Sequence, residues 1–415
     1  MVTQAPLVSG QAIALYPRFA PTGIVVVMST ATHLRPPATA DHCAATAGSG
    51  SGHRLLGALE HPGAVFENIT PNWFAAVMGT GIVANAAATL PVHVIGLRVF
   101  AVCVWLSAAF ALVALSAAFS VHWVRHRANA RRYARHPVMG QFYGAPPMAL
   151  LTVGAGTLLV GRDVIGTNAA VAVDFVLWGA GTVTGLATSL WVPFRMITRH
   201  DKSTATALPA WLMPIVPPMV SASTGALLLP HMPAGQARLT LLLACYAMFG
   251  MSLVIGMMTM TLIYSRLLHA GMPAVQAAPT VWITLGMIGQ SVTAVNLLGN
   301  AAGSAIADPF AQGLRVFGLI YGISMGGFGA LMFVLATALT VHAARQHLRF
   351  SLTWWSFTFP IGTCVTGATG LGTTAGSPAI HGLAVALYVV LLAAWGTVAL
   401  RTLRGAVTGR VFLPA

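Results

Sequence analysis

Pro209–Leu229 reads PAWLMPIVPPMVSASTGALLL, and Leu239–Ile263, one short loop later, reads LTLLLACYAMFGMSLVIGMMTMTLI. Each is apolar and about long enough to cross a hydrocarbon core of roughly 30 Å, for which about 20 helical residues suffice. Their textures differ. Pro214, Pro217 and Pro218 interrupt the first, which also carries Ser221, Ser223, Thr224 and Gly225, whereas the second is smooth. Proline removes a backbone donor, so a helix of the first kind needs protein or water beside it, while the second kind can face lipid.

That pairing recurs along the chain. The predicted spans are Pro71–Leu90, Ile95–Val121, Ala145–Val160, Ala169–Val192, Pro209–Leu229, Leu239–Ile263, Thr280–Leu298, Val316–Val341, Thr353–Thr374 and Ile380–Leu400. The odd spans are rich in Pro, Gly, Ser and Thr; the even ones are dominated by Leu, Val, Ala and Phe. The pentamer Gly-Leu-Arg-Val-Phe opens both the second span (Gly96–Phe100) and the eighth (Gly313–Phe317). The expected fold is therefore an all-α integral membrane protein, with ten transmembrane helices as five helical hairpins around a central pore lined by the odd helices. For any single position, close helix packing through small residues is the competing explanation.

Composition agrees. Charged residues make up 7% and hydrophobic ones 57%, too little polar surface to coat a soluble core. A membrane β-barrel would alternate in short segments, and this sequence does not. The net charge of +14 invites a nucleic-acid reading, but the basic residues mark orientation instead. Arg125, Arg127, Arg131, Arg132 and Arg135 follow the second span, and Arg195, Arg199 and Lys202 follow the fourth; Arg266, Arg345 and Arg349 lie in later loops of the same side. Only Arg98, Arg162, Arg238 and Arg315 lie opposite, which predicts a cytoplasmic (inner) membrane protein with both termini in the cytoplasm. Residues 1–69 are expected to be a largely disordered extension, with Ala38–Gly52 of low complexity; 70–404 form the transport domain and 405–415 a short tail.

No catalytic or metal constellation emerges. Cys43, Cys103, Cys245 and Cys364 are scattered, and His122 and His126 sit among arginines at a helix end. Gly79–Ala84 matches a dinucleotide fingerprint and Gly322–Gly326 a nucleophile elbow, yet both lie inside spans without the strand or triad partners that such chemistry needs. The expectation is a non-enzyme without cofactors or metals. No Lys, Arg, Asp or Glu lies within any odd span, so an anion in the pore would meet backbone dipoles, hydroxyls and an amide. The predicted pore-lining residues are Thr80, Gly81, Ser221, Thr224, Gln290, Ser291, Thr363 and Thr366. Asp174, deep in the fourth span, is assigned a hydrogen-bonded structural role, with proton coupling as the alternative.

The ninth span opens with Phe350–Pro360, FSLTWWSFTFP. At helical spacing Phe359, Gly362 or Thr363, Thr366 and Gly370 share a face that is small and polar except for one ring. Phe359 is either core packing or a hydrophobic constriction, and Trp354 and Trp355 suit an interfacial belt.

PNWFAAVMGTGIV (Pro71–Val83), PAWLMPIVPPMVSASTG (Pro209–Gly225), WITLGMIGQS (Trp282–Ser291) and FSLTWWSFTFPIG (Phe350–Gly362) together resemble the tellurite-resistance/dicarboxylate transporter family. That family includes bacterial tellurite-resistance channels, fungal malate permeases and sulfite exporters, and the slow anion channels of plant guard cells. The resemblance implies a pore in each subunit of a homotrimer and a phenylalanine gate on the ninth helix, Phe359 or alternatively Phe357. It also implies transport of small anions: C4-dicarboxylates such as malate first, or efflux of sulfite, tellurite or another inorganic anion. A membrane sensor or scaffold without transport is the remote alternative.

Overall fold

The computed structural model describes residues 56–92, 94–199 and 207–413. Its helices are α1 (Phe74–Thr89), α2 (Ile95–Arg125), α3 (Arg127–Arg135), α4 (Ala145–Gly156), α5 (Arg162–Ile165), α6 (Thr167–Arg199), α7 (Pro217–Leu228), α8 (Gln236–Ala270), α9 (Ile283–Ala301), α10 (Phe310–Arg345), α11 (Thr358–Ala375) and α12 (Pro378–Thr408). No strand occurs among the described residues. Seven helical stretches are long and apolar enough to cross a membrane, the even predicted spans and those containing α4 and α9. This is an all-helical, multi-pass membrane protein. The first, fifth and ninth predicted spans overlie the shorter helices α1, α7 and α11, of 16, 12 and 18 residues.

The prolines explain why those helices are short. Each of α1, α4, α7, α9 and α11 is preceded by a 3-10 segment: Pro71–Trp73, Met139–Gly144, Pro209–Leu212, Val275–Trp282 and Leu352–Phe357. Pro146 and Pro147 occupy the first turn of α4, Pro217 and Pro218 open α7, and Pro360 is the third residue of α11. There the missing N–H costs nothing, because the first turn has no intrahelical acceptor for it. The prolines that interrupt these spans thus mark helix starts. Leaving α4, a π-helical turn at Thr157–Gly161 leads into α5, and Gly166, at φ 81°, turns the chain into α6.

Neighbour relations close these five helices into a ring: α1 packs on α4, α4 on α7, α7 on α9, α9 on α11 and α11 back on α1. The ring is tight. A Cβ on Gly289 of α9 would stand 2.6 Å from the backbone nitrogen of Cys364 in α11, and one on Gly144 would stand 1.9 Å from the Met213 carbonyl. The long helices α2, α6, α8, α10 and α12 pack around the outside, where Phe110 is 76% and Ile197 75% exposed. Such apolar surface is what hydrocarbon accepts and water does not.

At one end the first and last described residues meet. Leu56 and Ala58 donate backbone hydrogen bonds to Val407 and Thr408 at 2.7 and 3.0 Å, and Trp73 stacks on Phe412 at 5.0 Å. The described part of the predicted 1–69 extension is therefore held against the helical body, and α12 runs past 404 into the predicted tail. Ala38–Gly52 lies outside the described residues. Of the two tryptophans assigned to an interfacial belt, Trp354 lies 4.7 Å beneath the Arg401 guanidinium, whereas Trp355 is buried and donates to Thr402 Oγ1 at 3.0 Å.

Candidate functional site

Two cavities lie along the ring, and each draws residues from all five inner helical stretches. The smaller, about 20 Å³, sits between the N-terminal ends and is apolar, with Met78, Met148, Val216, Ile283 and Pro360 in its wall. Such a volume admits about one water molecule. The larger, about 260 Å³, lies between the C-terminal halves. Because N-terminal residues of every inner helix line the first and C-terminal residues the second, the five helices run in parallel. One side chain, Phe359, lines both. It is 3% exposed, and no other residue is common to the two linings.

Hydroxyls and amides make up the polar wall of the larger cavity. Asn85 donates to the Thr152 carbonyl at 3.0 Å, tying α1 to α4. Gln290 Nε2 donates to Ser223 Oγ, tying α9 to α7. The hydroxyls of Thr293 and Thr366 meet at 2.8 Å, tying α9 to α11. Lys, Arg, Asp and Glu are absent from the lining. Five parallel helix N-termini direct their partial positive charge toward the Phe359 end. Among the described residues no group of three or more His, Cys, Asp or Glu is placed to hold a metal.

Of the predicted residues, Phe359, Thr224, Gln290 and Thr366 line this cavity. Phe357 lines neither cavity; it packs edge-on against Trp282 and Trp354, at centroid distances of 5.7 and 5.8 Å. Thr80 is turned outward and accepts from Trp395 Nε1 at 3.2 Å. Gly81 faces Thr152 and Ala108, where a Cβ would approach Thr152 to 2.9 Å. Ser221 is wholly buried, beside the outer helix whose Trp178 donates to its carbonyl at 2.9 Å. Ser291 and Thr363 are also buried, with hydroxyls turned back on the carbonyls of Ile288 and Pro360 at 2.7 and 2.8 Å. These five small residues line neither cavity and lie at contacts between helices.

Asp174 departs from expectation differently. Fully buried on α6 against Gly154 of α4, its carboxylate has no hydrogen-bond partner among the described residues, so the predicted hydrogen-bonded role is not found.

Asn85, Ser223, Thr293, Asn300, Thr369 and Thr373 also line the larger cavity and were not predicted. Their signal was spacing. Ile82, Asn85 and Thr89 repeat at helical intervals, as do Gln290, Thr293, Leu297 and Asn300, so one member of a face points to the rest of it.

The sequence profile of the voltage-dependent anion channel family matches residues 68–403, most of the chain and all of the inner ring. The chain belongs to this family. It is the same transporter family that the four motifs resemble, and its members are channels and transporters. Among curated members, a transporter of uncharacterised function from Methanocaldococcus jannaschii is 28% identical over 361 residues, covering 86% of this chain and 99% of that protein. A sulfite efflux pump from Arthroderma otae is 28% identical over 355 residues, covering 83% and 92%, and one from Trichophyton rubrum is 27% identical with the same coverage. As a member of the voltage-dependent anion channel family, this chain is a membrane anion transporter.

Proposed function

We propose that small inorganic anions, sulfite foremost, cross the membrane through the ring of inner helices and that Phe359 gates their passage. The observation that carries this reading is the position of Phe359 as the single side chain common to two cavities on one axis. An apolar ring in a narrow neck excludes water and with it a hydrated ion, so the closed state needs no charge to block conduction. Selectivity for anions then comes from the convergent helix N-termini and from hydroxyl and amide donors. Weak, distributed donors also allow rapid release.

Malate was the leading expectation, and the wall lends it little support. Two carboxylates are usually held by Arg or Lys, and this lining has neither. The relatives named as sulfite efflux pumps favour the inorganic alternative. In this reading residues 70–404 form the transport domain and all ten predicted spans cross as five hairpins, with both termini on the cytoplasmic side of the inner membrane. The family resemblance suggests a homotrimer with one conduit per protomer.

Substrate choice is tested with purified protein in liposomes. Sulfite flux is measured with malate, chloride and nitrate as competitors. Sulfite should pass, chloride and nitrate should compete, and malate should compete weakly. Malate flux exceeding sulfite flux would overturn the substrate assignment and leave the conduit standing.

A further inference from the structure

Outside the ring, where α2, α3 and α6 meet, lies a cavity of about 340 Å³. Its wall holds Arg131 and Arg135 from α3, Arg195, Trp191 and Phe194 from α6, and Trp123 from α2. Helix α3 reads RANARRYAR, which spaces Arg127, Arg131 and Arg135 four residues apart on one exposed stripe while Ala130, Tyr133 and Ala134 are buried beneath it. The ion pairs among the described residues join His61 to Glu67, Arg98 to Asp163 and Arg315 to Asp308, and none of them involves Arg127, Arg131 or Arg135. Arg195 is fixed beside it, donating to the Ala134 carbonyl at 3.2 Å with its guanidinium 4.9 Å above the Trp191 ring.

The other rim of the cavity is apolar. Phe194 is itself exposed, and Val124, Leu190 and Ile197 present large hydrophobic side chains to the surroundings nearby. Tryptophans beside arginines at the end of long apolar helices are the residue types of a bilayer interface, where ring bodies lie in the headgroup region and guanidinium groups reach toward phosphate. No inner helix contributes to this wall, so an anion captured here is not on the axis of the conduit.

We propose that this cavity binds the phosphate headgroup of an anionic phospholipid, with its acyl chains lying along the exposed side chains of α2 and α6. The guanidinium groups of Arg131 and Arg135 supply charge and bidentate donors for the phosphate, and the tryptophans and Phe194 cover the glycerol and upper chains. The site requires only that these helices cross a bilayer, and so stands independently of which anion the ring carries.

The test is native mass spectrometry of purified full-length protein after exposure to an equimolar mixture of phosphatidylglycerol and phosphatidylcholine. Wild type should retain phosphatidylglycerol in clear excess, and added salt should reduce that excess. Arg131→Gln/Arg135→Gln should lower its retention roughly 20- to 30-fold, since each basic residue near the surface is worth about fivefold. Arg131→Lys/Arg135→Lys should keep most of it, and Arg345→Gln/Arg349→Gln, an equal loss of charge elsewhere, should change it little. Inorganic phosphate in excess should fail to displace the lipid. Equal retention of the two lipids by wild type would overturn the proposal whether or not the variants fold. So would equal losses from the two Gln pairs, and displacement by inorganic phosphate would assign a free-anion site instead.

Discussion

At the scale of residues, what decides whether a small side chain lines the larger cavity is the side of the helix it faces. Thr366 and Thr80 are both threonines on inner helices, yet Thr366 lines the larger cavity and Thr80 bonds Trp395 on an outer helix. Thr366→Trp should therefore cut anion flux at least tenfold with folded yield preserved, whereas Thr80→Val should leave flux within about twofold; a liposome flux assay normalised to monodisperse protein separates the two. Asp174 permits a sharper outcome. A buried carboxylate without a partner is costly, and an isosteric amide relieves that cost. Asp174→Asn should raise the thermal unfolding midpoint by a few degrees and leave flux down a substrate gradient unchanged. Loss of uptake driven by a pH gradient, at undiminished folded yield, would instead assign proton transfer to this carboxylate. Residue types were legible here from the chain alone: Phe359, Gln290, Thr224 and Thr366 were read from it and line the larger cavity. Facing was not. Helical phase is uncertain when every side of an inner helix is small, and α1, buried nearly all round, offers no amphipathic stripe from which to set it.

At the scale of elements, the contrast between broken and smooth apolar runs located the five inner and the five long outer helices, because lipid accepts uninterrupted side chains and a protein interior accepts glycine. The 3-10 segments were not legible. Over four to eight residues an i+3 pattern cannot be told from an i+4 pattern, and proline signals a helix boundary as readily as a kink. Helix α3 was visible only as a basic loop, although its arginines already repeat at intervals of four. The α9–α11 contact is the element-level prediction. Gly289 has backbone within 2.6 Å of where a Cβ would stand, so Gly289→Leu should forfeit a folded ring; even Gly289→Ala should cost about 1–3 kcal/mol, read as a lower unfolding midpoint in detergent. Gly303, with open space around it, should tolerate alanine without change.

For the whole molecule, parallel inner helices joined through outer ones imply that every inner helix starts on the same side of the membrane. Cysteine substituted at exposed Ala128, after α2, should react with an impermeant reagent only from the cytoplasmic side, and cysteine at Gly303, after α9, only from the opposite side. The gate is the central claim, and the pair Phe359 and Phe357 tests it most directly. A core phenylalanine truncated to alanine costs roughly 3–5 kcal/mol and yields a damaged protein, whereas removal of a plug opens a path. The deciding measurement is anion current through purified wild type, Phe359→Ala and Phe357→Ala in planar bilayers, with folded yield checked by size exclusion. Phe359→Ala should carry current at least tenfold above wild type while keeping its preference for anions over cations, and Phe357→Ala should stay near wild type. A well-folded Phe359→Ala protein with no more current than wild type would contradict the account.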